Sequence, residues 1–418
     1  MDRNDCVFPR CAVLGVAAWI ALAAFMGADA AARTVTLSRQ ALRGLALPSK
    51  PPVPADDPMT PAKIALGKEL YFDPRLSSTG TISCDSCHNV MGTGTDNRKF
   101  PQGVDGRLDT SRSAPTVFNA AFLPVQFWDG RAPSLEAQAK GPLLNHKEMG
   151  MPNGRAVAAR VQAIPGYRRQ FHRVFPGPHP VTFDNITKAI ATYERTLITP
   201  DSPFDRYARG DRNAISPEAR KGFMVVQELG CTSCHSGPMF NGAGKTPMGQ
   251  GVFMKFPIYT HNKYVAKYHL MAHLGRYKVT HKPADKHMWV VSSWRDVALE
   301  APYFNNGSVD TLSQAVRVMA GAELDKTLTV AQVREIVAFL DTLTGRLPRQ
   351  MMPRLPNTVN AALAMSGEQR GVRAWSRGPA ATAPGPAPRV RSFRAIRRTR
   401  EDGRPSAYRI PMPALVCL

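Results

Sequence analysis

The chain has 418 residues, 43% of them hydrophobic, which is enough for two domains that each bury a core. Its 54 Lys plus Arg against 32 Asp plus Glu give a formal charge of +22, a balance that by itself suggests nucleic acid, anionic lipid or an acidic partner. From Arg346 onward, however, 14 arginines face only Glu368, Glu401 and Asp402, so half of the excess lies there and the body gives no charge argument for nucleic-acid binding.

In chain order, Arg3 and Arg10 precede an apolar run from Ala12 to Met26, followed by Ala28-Asp29-Ala30. A basic start, an apolar stretch and an A-x-A pattern read as a secretory signal over residues 1–32, cleaved on export to the periplasm; an uncleaved inner-membrane anchor is the alternative. Residues 33–58 carry five prolines between Pro48 and Pro58 and form a linker or a surface-wrapping arm. Thr60-Pro61 then opens a helix, with a capping hydroxyl, proline in the first turn, and Ile64, Leu66, Leu70 and Tyr71 at helical spacing.

That helix leads to Cys84-Asp85-Ser86-Cys87-His88. Cys-x-x-Cys-His is the attachment signature of a c-type haem: two thiols form thioethers to the porphyrin, and the histidine supplies a nitrogen to iron. A single copy could also be a redox dithiol or half of a zinc site. A second copy follows at Cys231-Thr232-Ser233-Cys234-His235, preceded in its turn by a Ser216-Pro217 helix start with Phe223, Val226 and Leu229. A zinc site wants four converging ligands, and each copy offers three. The remaining three of the seven cysteines, Cys6, Cys11 and Cys417, lie at the ends, so no disulfide framework is left for the body. Two covalent c-type haems in two helical units are expected.

Between the motifs, Ser134 caps a short helix through Ala139, and Ala156–Ile164 and Ile186–Leu197 are patterned as helices. Residues 237–290 show little periodicity. Leu312, Ala315, Val316 and Met319 mark one helix face, and Thr329 caps a last helix with Val330, Val333, Ile336, Val337 and Leu340 inward, ending at Gly345. The expected class is mainly α, with one haem domain over 59–215 and another over 216–356. Residues 357–418, rich in Arg, Pro, Gly and Ala, lack a core-forming pattern and are expected to be disordered.

Phe127-Trp128-Asp129-Gly130-Arg131-Ala132, Ser134-Leu135-Glu136-Ala137-Gln138-Ala139, and Ala301-Pro302-Tyr303-Phe304 with Gly307 resemble the bacterial di-haem cytochrome c peroxidases, over about Pro58 to Pro356. The resemblance implies two cytochrome c-like domains facing a common interface, in a homodimer. It implies that His88 is the proximal ligand of a peroxide-reacting haem and His235 that of an electron-accepting haem. Met319 falls at the sixth ligand of the second haem, with Met254, Met271 and Met288 as rivals on composition alone. Trp128 stands where the family has a tryptophan between the haems, and Gln138 and Glu148 where it has the polar pair of the peroxide pocket. Ser113, Glu300 and Pro302 fall at an inter-domain calcium, although Ser113 replaces the usual Asn, and Asn305 stands where a histidine is common.

One departure is larger. Many relatives carry a histidine about sixteen residues beyond the first proximal one, but Met91–Asn119 contains none. The first haem is therefore expected to be five-coordinate or water-bound at rest. The activity implied is periplasmic reduction of hydrogen peroxide, with a small c-type cytochrome or a cupredoxin as donor. Two other readings stay open: a di-haem oxidase that modifies Trp or Tyr of a protein substrate, and a non-catalytic di-haem electron carrier. Met319 favours the peroxidase branch, since the protein-modifying relatives carry tyrosine there.

Overall fold

The computed structural model describes residues 37–106, 112–242 and 246–358. The segment read as a signal peptide, with Cys6 and Cys11, lies outside the described residues, as does the tail from 359 onward with Cys417. All described residues belong to one unit, Met1–Ala362; a second unit, Leu363–Leu418, lies outside them.

The fold is mainly α, as the patterning predicts. Thr60 accepts from the Lys63 N–H at 3.2 Å and Pro61 opens the helix Pro61–Phe72; Ser216 and Pro217 do the same for Pro217–Glu228. Two further helices, Pro165–Val174 and Pro203–Arg209, begin on the same proline signal but were not expected from the apolar spacing. The helix capped by Ser134 runs on to Leu144 through Pro142, and the one expected over Ile186–Leu197 starts earlier, at Phe183, where Thr182 caps it. The last helix is Val330–Asp341; its first residue, expected inward, is 74% exposed because it sits on the outer side of the opening turn.

Two principal cores form. In the first, Leu66, Leu70 and Tyr71 cluster with Ile186, Ile190 and Tyr193 of the helix Phe183–Glu194. The two helices cross at Gly67, where any Cβ would overlap the carbonyl of Ala189. In the second, Phe223 and Val226 cluster with Val333, Ile336 and Phe339, and the crossing is again made at a glycine, Gly222, against the carbonyl of Glu335. The pseudo-repeat visible around the haem motifs thus extends to how each preceding helix is seated. The helix Pro203–Arg209, placed by the sequence before the 215/216 boundary, contributes Phe204 and Ala208 to the second core.

The ends of the described chain are exchanged between the cores. Leu37, Leu42, Leu45 and Ala46 of the proline-rich arm pack on the second core, where buried Arg295 holds the Leu45 carbonyl at 2.8 Å and Asp205 at 2.9 Å. The arm then reaches the first core, where Asp57 accepts from Lys63 at 2.8 Å. In the opposite direction, Leu347 packs on the first core, Gln350 accepts from the Tyr193 hydroxyl at 3.0 Å, and the Pro356 carbonyl accepts from Arg75 at 2.9 Å.

Residues 246–290 form an excursion from the second core. It carries a two-stranded antiparallel ribbon, β1 (Phe253–Lys255) and β2 (Met288–Val290), and the short helices Lys263–Lys267 and Tyr277–Thr280.

Candidate functional site

Both Cys-x-x-Cys-His segments fold as the same tight turn. Cys84–Ser86 and Cys231–Ser233 are single 3-10 turns, and the His88 and His235 N–H groups donate back to the carbonyls of Cys84 and Cys231, each at 3.0 Å. The turn gathers two thiols and an imidazole on one short piece of backbone. All four cysteines are unpaired, and burial raises the thiols, Cys87 to about 12 and Cys231 to about 11. A redox dithiol needs the opposite shift, toward the thiolate.

The imidazoles are also set alike. His88 Nδ1 lies 2.9 Å from the Pro115 carbonyl oxygen, and His235 Nδ1 lies 2.9 Å from that of Phe240. A carbonyl only accepts, so Nδ1 carries the proton and Nε2 keeps its lone pair for a metal. Burial keeps both rings neutral, lowering His88 and bringing His235 down to about 4. Tyr71 adds a hydroxyl donated to the His88 carbonyl at 2.7 Å. The residues present therefore fit two covalent haems.

Beyond the turns the two sites differ. A cavity of about 440 Å³ opens beside Cys231, Cys234 and His235 and is lined by Met319 from the helix Leu312–Leu324. Of the rival methionines only Met254 also lines it; Met271 and Met288 do not. The Trp294 indole lies flat on the His235 imidazole, 4.5 Å between centroids and 19° between planes. Sequence reasoning missed Trp294, since nothing in its local pattern separates it from a core aromatic.

On the side of the first core, which Ala139 and Leu143 join and on which Cys84 packs, Gln138 sits half-buried on the helix Leu135–Leu144, and Glu148 sits in the turn that follows. Glu148 Oε1 accepts from Asn145 Nδ2 at 2.9 Å. Burial pushes its carboxyl above the usual range, opposed by Arg131 and by the Asn145 amide. The same carboxylate is close enough to Cys87 to raise that thiol. The loop after the motif is laid on this turn: Val104 N–H donates to the Glu148 carbonyl at 3.0 Å, and a Cβ at Gly103 would overlap the Lys147 carbonyl. His146, the next histidine after His88, is exposed.

Trp128 stands on the His235 side. It precedes the Gln138 helix, lines the His235 cavity, and donates its indole N–H to the Ser113 carbonyl at 2.8 Å. Ser113, Glu300 and Pro302 line the same cavity. Burial raises the Glu300 carboxyl to about 8, eased by the Thr116 N–H. Calcium takes six to eight oxygens. Here Trp128 already occupies the Ser113 carbonyl, and Asn97 Nδ2 donates to the flanking carbonyls of Leu299 and Ala301 at 2.9 and 2.8 Å. Among the described residues no group of three or more His, Cys, Asp or Glu is placed to hold a metal ion.

Two haem-attachment turns in one helical chain, one beside a buried carboxyl and one beside a thioether, define a di-haem c-type oxidoreductase. Comparison with known proteins agrees. The pattern of the family described as di-haem cytochrome c peroxidase matches residues 61–213. Cytochrome c551 peroxidase of Pseudomonas aeruginosa is 42% identical over 301 residues, covering 72% of this chain and 83% of that protein. The cytochrome c551 peroxidase of Nitrosomonas europaea is 40% identical over 345 residues, 78% of this chain and 96% of that one. Among solved structures, a MauG-like protein associated with microbial copper homeostasis superposes with a TM-score of 0.62 at 29% identity, over 72% of this chain and 95% of that one. The chain belongs to the di-haem cytochrome c peroxidase family, and it is an oxidoreductase of the peroxidase class.

Proposed function

We propose that the two turns have distinct tasks in reducing hydrogen peroxide to two waters with two electrons and two protons. The observation that carries this reading is their unlike surroundings: Glu148 beside Cys87, Met319 on the cavity of His235. Haem, when bound, supplies the O–O cleavage and the redox equivalents. His88 and His235 would hold the two haem irons through Nε2, and the Met319 thioether would be a further ligand to the iron held by His235, which would favour its reduced state. Trp128, lining that cavity from the peroxide-site segment, serves as the relay between the sites. Glu148 takes a proton from one peroxide oxygen and returns it to the other, a role suited to a carboxyl with a raised pKa. Gln138 orients the peroxide and donates its amide to the developing charge.

The same reading places the protein in the periplasm, exported by the segment 1–32, as a homodimer fed by a small c-type cytochrome or a cupredoxin. Among the described residues no helix is long and apolar enough to cross a membrane. A calcium ion at Ser113, Glu300 and Pro302 would need water to complete its shell, given the carbonyls already engaged.

The test is steady-state peroxide turnover with reduced cytochrome c on the wild type and on Glu148→Gln. Brisk turnover that collapses in the variant supports the assignment. Slow turnover with a persistent oxidised state would point to oxidation of a protein substrate, and none at all to an electron carrier.

A further inference from the structure

The excursion 246–290 carries charge that the peroxide chemistry does not use. Lys255, Lys263, Lys267, Arg276, Lys278, Lys282 and Lys286 stand there against Asp285 alone, and the Thr280 hydroxyl donates to that carboxylate at 2.6 Å. Set into this cationic segment is an apolar spot. Met254 and Ile258 both line the His235 cavity and both reach solvent, at 36% and 45% exposure, with Tyr259 exposed beside them. The cavity wall thus reaches the surface at Met254 and Ile258, as it does at Ser233 and Ser292. Exposed Lys255 follows Met254 on β1. Exposed Lys263 follows Asn262, which donates to Asp325 at 3.2 Å, and Lys326 follows Asp325.

The acidic groups at this rim are few and weakened. Asp325 lies 3.4 Å from the His261 imidazole and accepts from Asn262, and burial raises Glu323, which accepts from the Ile258 N–H, to about 7. An apolar centre with exposed lysines next to it in the chain, on the wall of a redox cavity, has the anatomy of a transient protein interface: the centre excludes water and the charges steer encounter.

We propose that this surface is the electron-entry dock and that its partner is a small redox protein with an acidic rim around its own exposed cofactor edge. The inference rests on the assignment of the His235 cavity as the point of electron entry. It goes beyond that assignment in fixing the sign of the donor's charge, which the family does not fix. Complementary charge raises association rates by 10–1,000-fold, and salt removes the gain once exposed charges lie farther apart than a Debye length of about 8–10 Å.

The experiment compares three reductants on the full-length di-haem protein: an acidic cupredoxin, a basic cytochrome c, and a neutral small-molecule donor. Peroxide-dependent oxidation is measured from low to high ionic strength, with calorimetric titration of the acidic cupredoxin in parallel. The variants are Lys255→Glu/Lys263→Glu/Lys326→Glu and, as a control away from the excursion, Arg168→Glu/Arg169→Glu. The expected result is kcat/KM for the acidic donor at least tenfold above that for the basic donor at low salt. That preference is lost at high salt and inverted in the triple variant, while the control pair and the neutral donor show no change. A wild-type preference for the basic donor overturns the proposal, as does indifference of the acidic donor to the triple reversal. No turnover with the neutral donor, alongside salt-sensitive binding of the cupredoxin that the triple variant loses, would instead overturn the peroxidase assignment and leave the dock standing.

Discussion

Trp128 donates its indole N–H to the carbonyl oxygen of Ser113 at 2.8 Å, and Ser113 donates its own N–H to the Asn305 carbonyl at 2.8 Å. Trp128 is thereby tied, in two hydrogen bonds, to the Asn305 loop that walls the His235 cavity. Trp128→Phe keeps most of the ring and deletes the first bond. The loss should cost about 1–3 kcal/mol, since a part-buried carbonyl is left without its donor. Thermal melting reads this as a Tm lowered by several degrees. In stopped-flow mixing of half-reduced enzyme with peroxide, transfer to the His88 site should slow at least tenfold while reduction of the His235 site by donor is unaffected; equal rates would remove Trp128 from the route.

Glu148 should behave as an acid–base group with a displaced titration. Burial raises its carboxyl, so the carboxylate that accepts the first proton becomes available only above the ordinary glutamate range, and turnover should climb with pH through that raised value. Glu148→Gln should lower kcat by about 100- to 10,000-fold and abolish this limb, with the Soret spectrum unchanged. A variant that keeps the limb would assign it to another group.

With no histidine in Met91–Asn119, and with the Gly103–Val104 backbone resting on the Glu148 turn, the resting oxidised protein should show a high-spin ferric signal by electron paramagnetic resonance. Peroxide turnover should begin without prior reduction. A low-spin bis-histidine spectrum at the first site would contradict this.

Met319 and Met254 share the His235 cavity, and one substitution in each separates them. Met319→Leu should erase the near-infrared charge-transfer band of a thioether-ligated ferric haem and lower the midpoint potential of that site. Met254→Leu should leave both in place; the reverse outcome would make Met254 the ligand.

Glu194 is buried, with Oε2 lacking a hydrogen-bond partner, and burial raises its carboxyl to about 8 from 4.5. The folded state holds this proton to higher pH than the unfolded state does. Its contribution is therefore complete below pH 4.5 and is lost as pH rises through 8. At about 1.4 kcal/mol per pH unit, the loss by pH 8 is on the order of a few kcal/mol. Urea melts at pH 5, 6.5 and 8 should show wild type falling away from Glu194→Gln as pH rises; parallel curves would mean that the carboxyl is not buried in solution.

The legible parts of this chain were those written in short spacings. Cys-x-x-Cys-His, the Thr60-Pro61 and Ser216-Pro217 helix starts and the Met319 face each fit within a few turns of backbone, and each appears where the residues place it. What stayed hidden depends on residues far apart in sequence. Nothing near Trp294 announces that it will lie on His235, and nothing near Glu194 announces that its carboxyl will be buried. Residues 237–290 show little periodicity because their elements are three to five residues long, too short for a period to develop.

The exchange of chain ends has a mechanical meaning. The arm before Asp57 is clamped on the second core by Arg295, and the segment ending at Pro356 is clamped on the first by Arg75 and Tyr193. Parting the two halves would require both clamps to release, so the molecule has no single hinge about which to open. Electron tunnelling weakens steeply with every added ångström. By lacing each half to the other, the chain would hold constant the gap between haems bound at His88 and His235, the distance on which that transfer most depends.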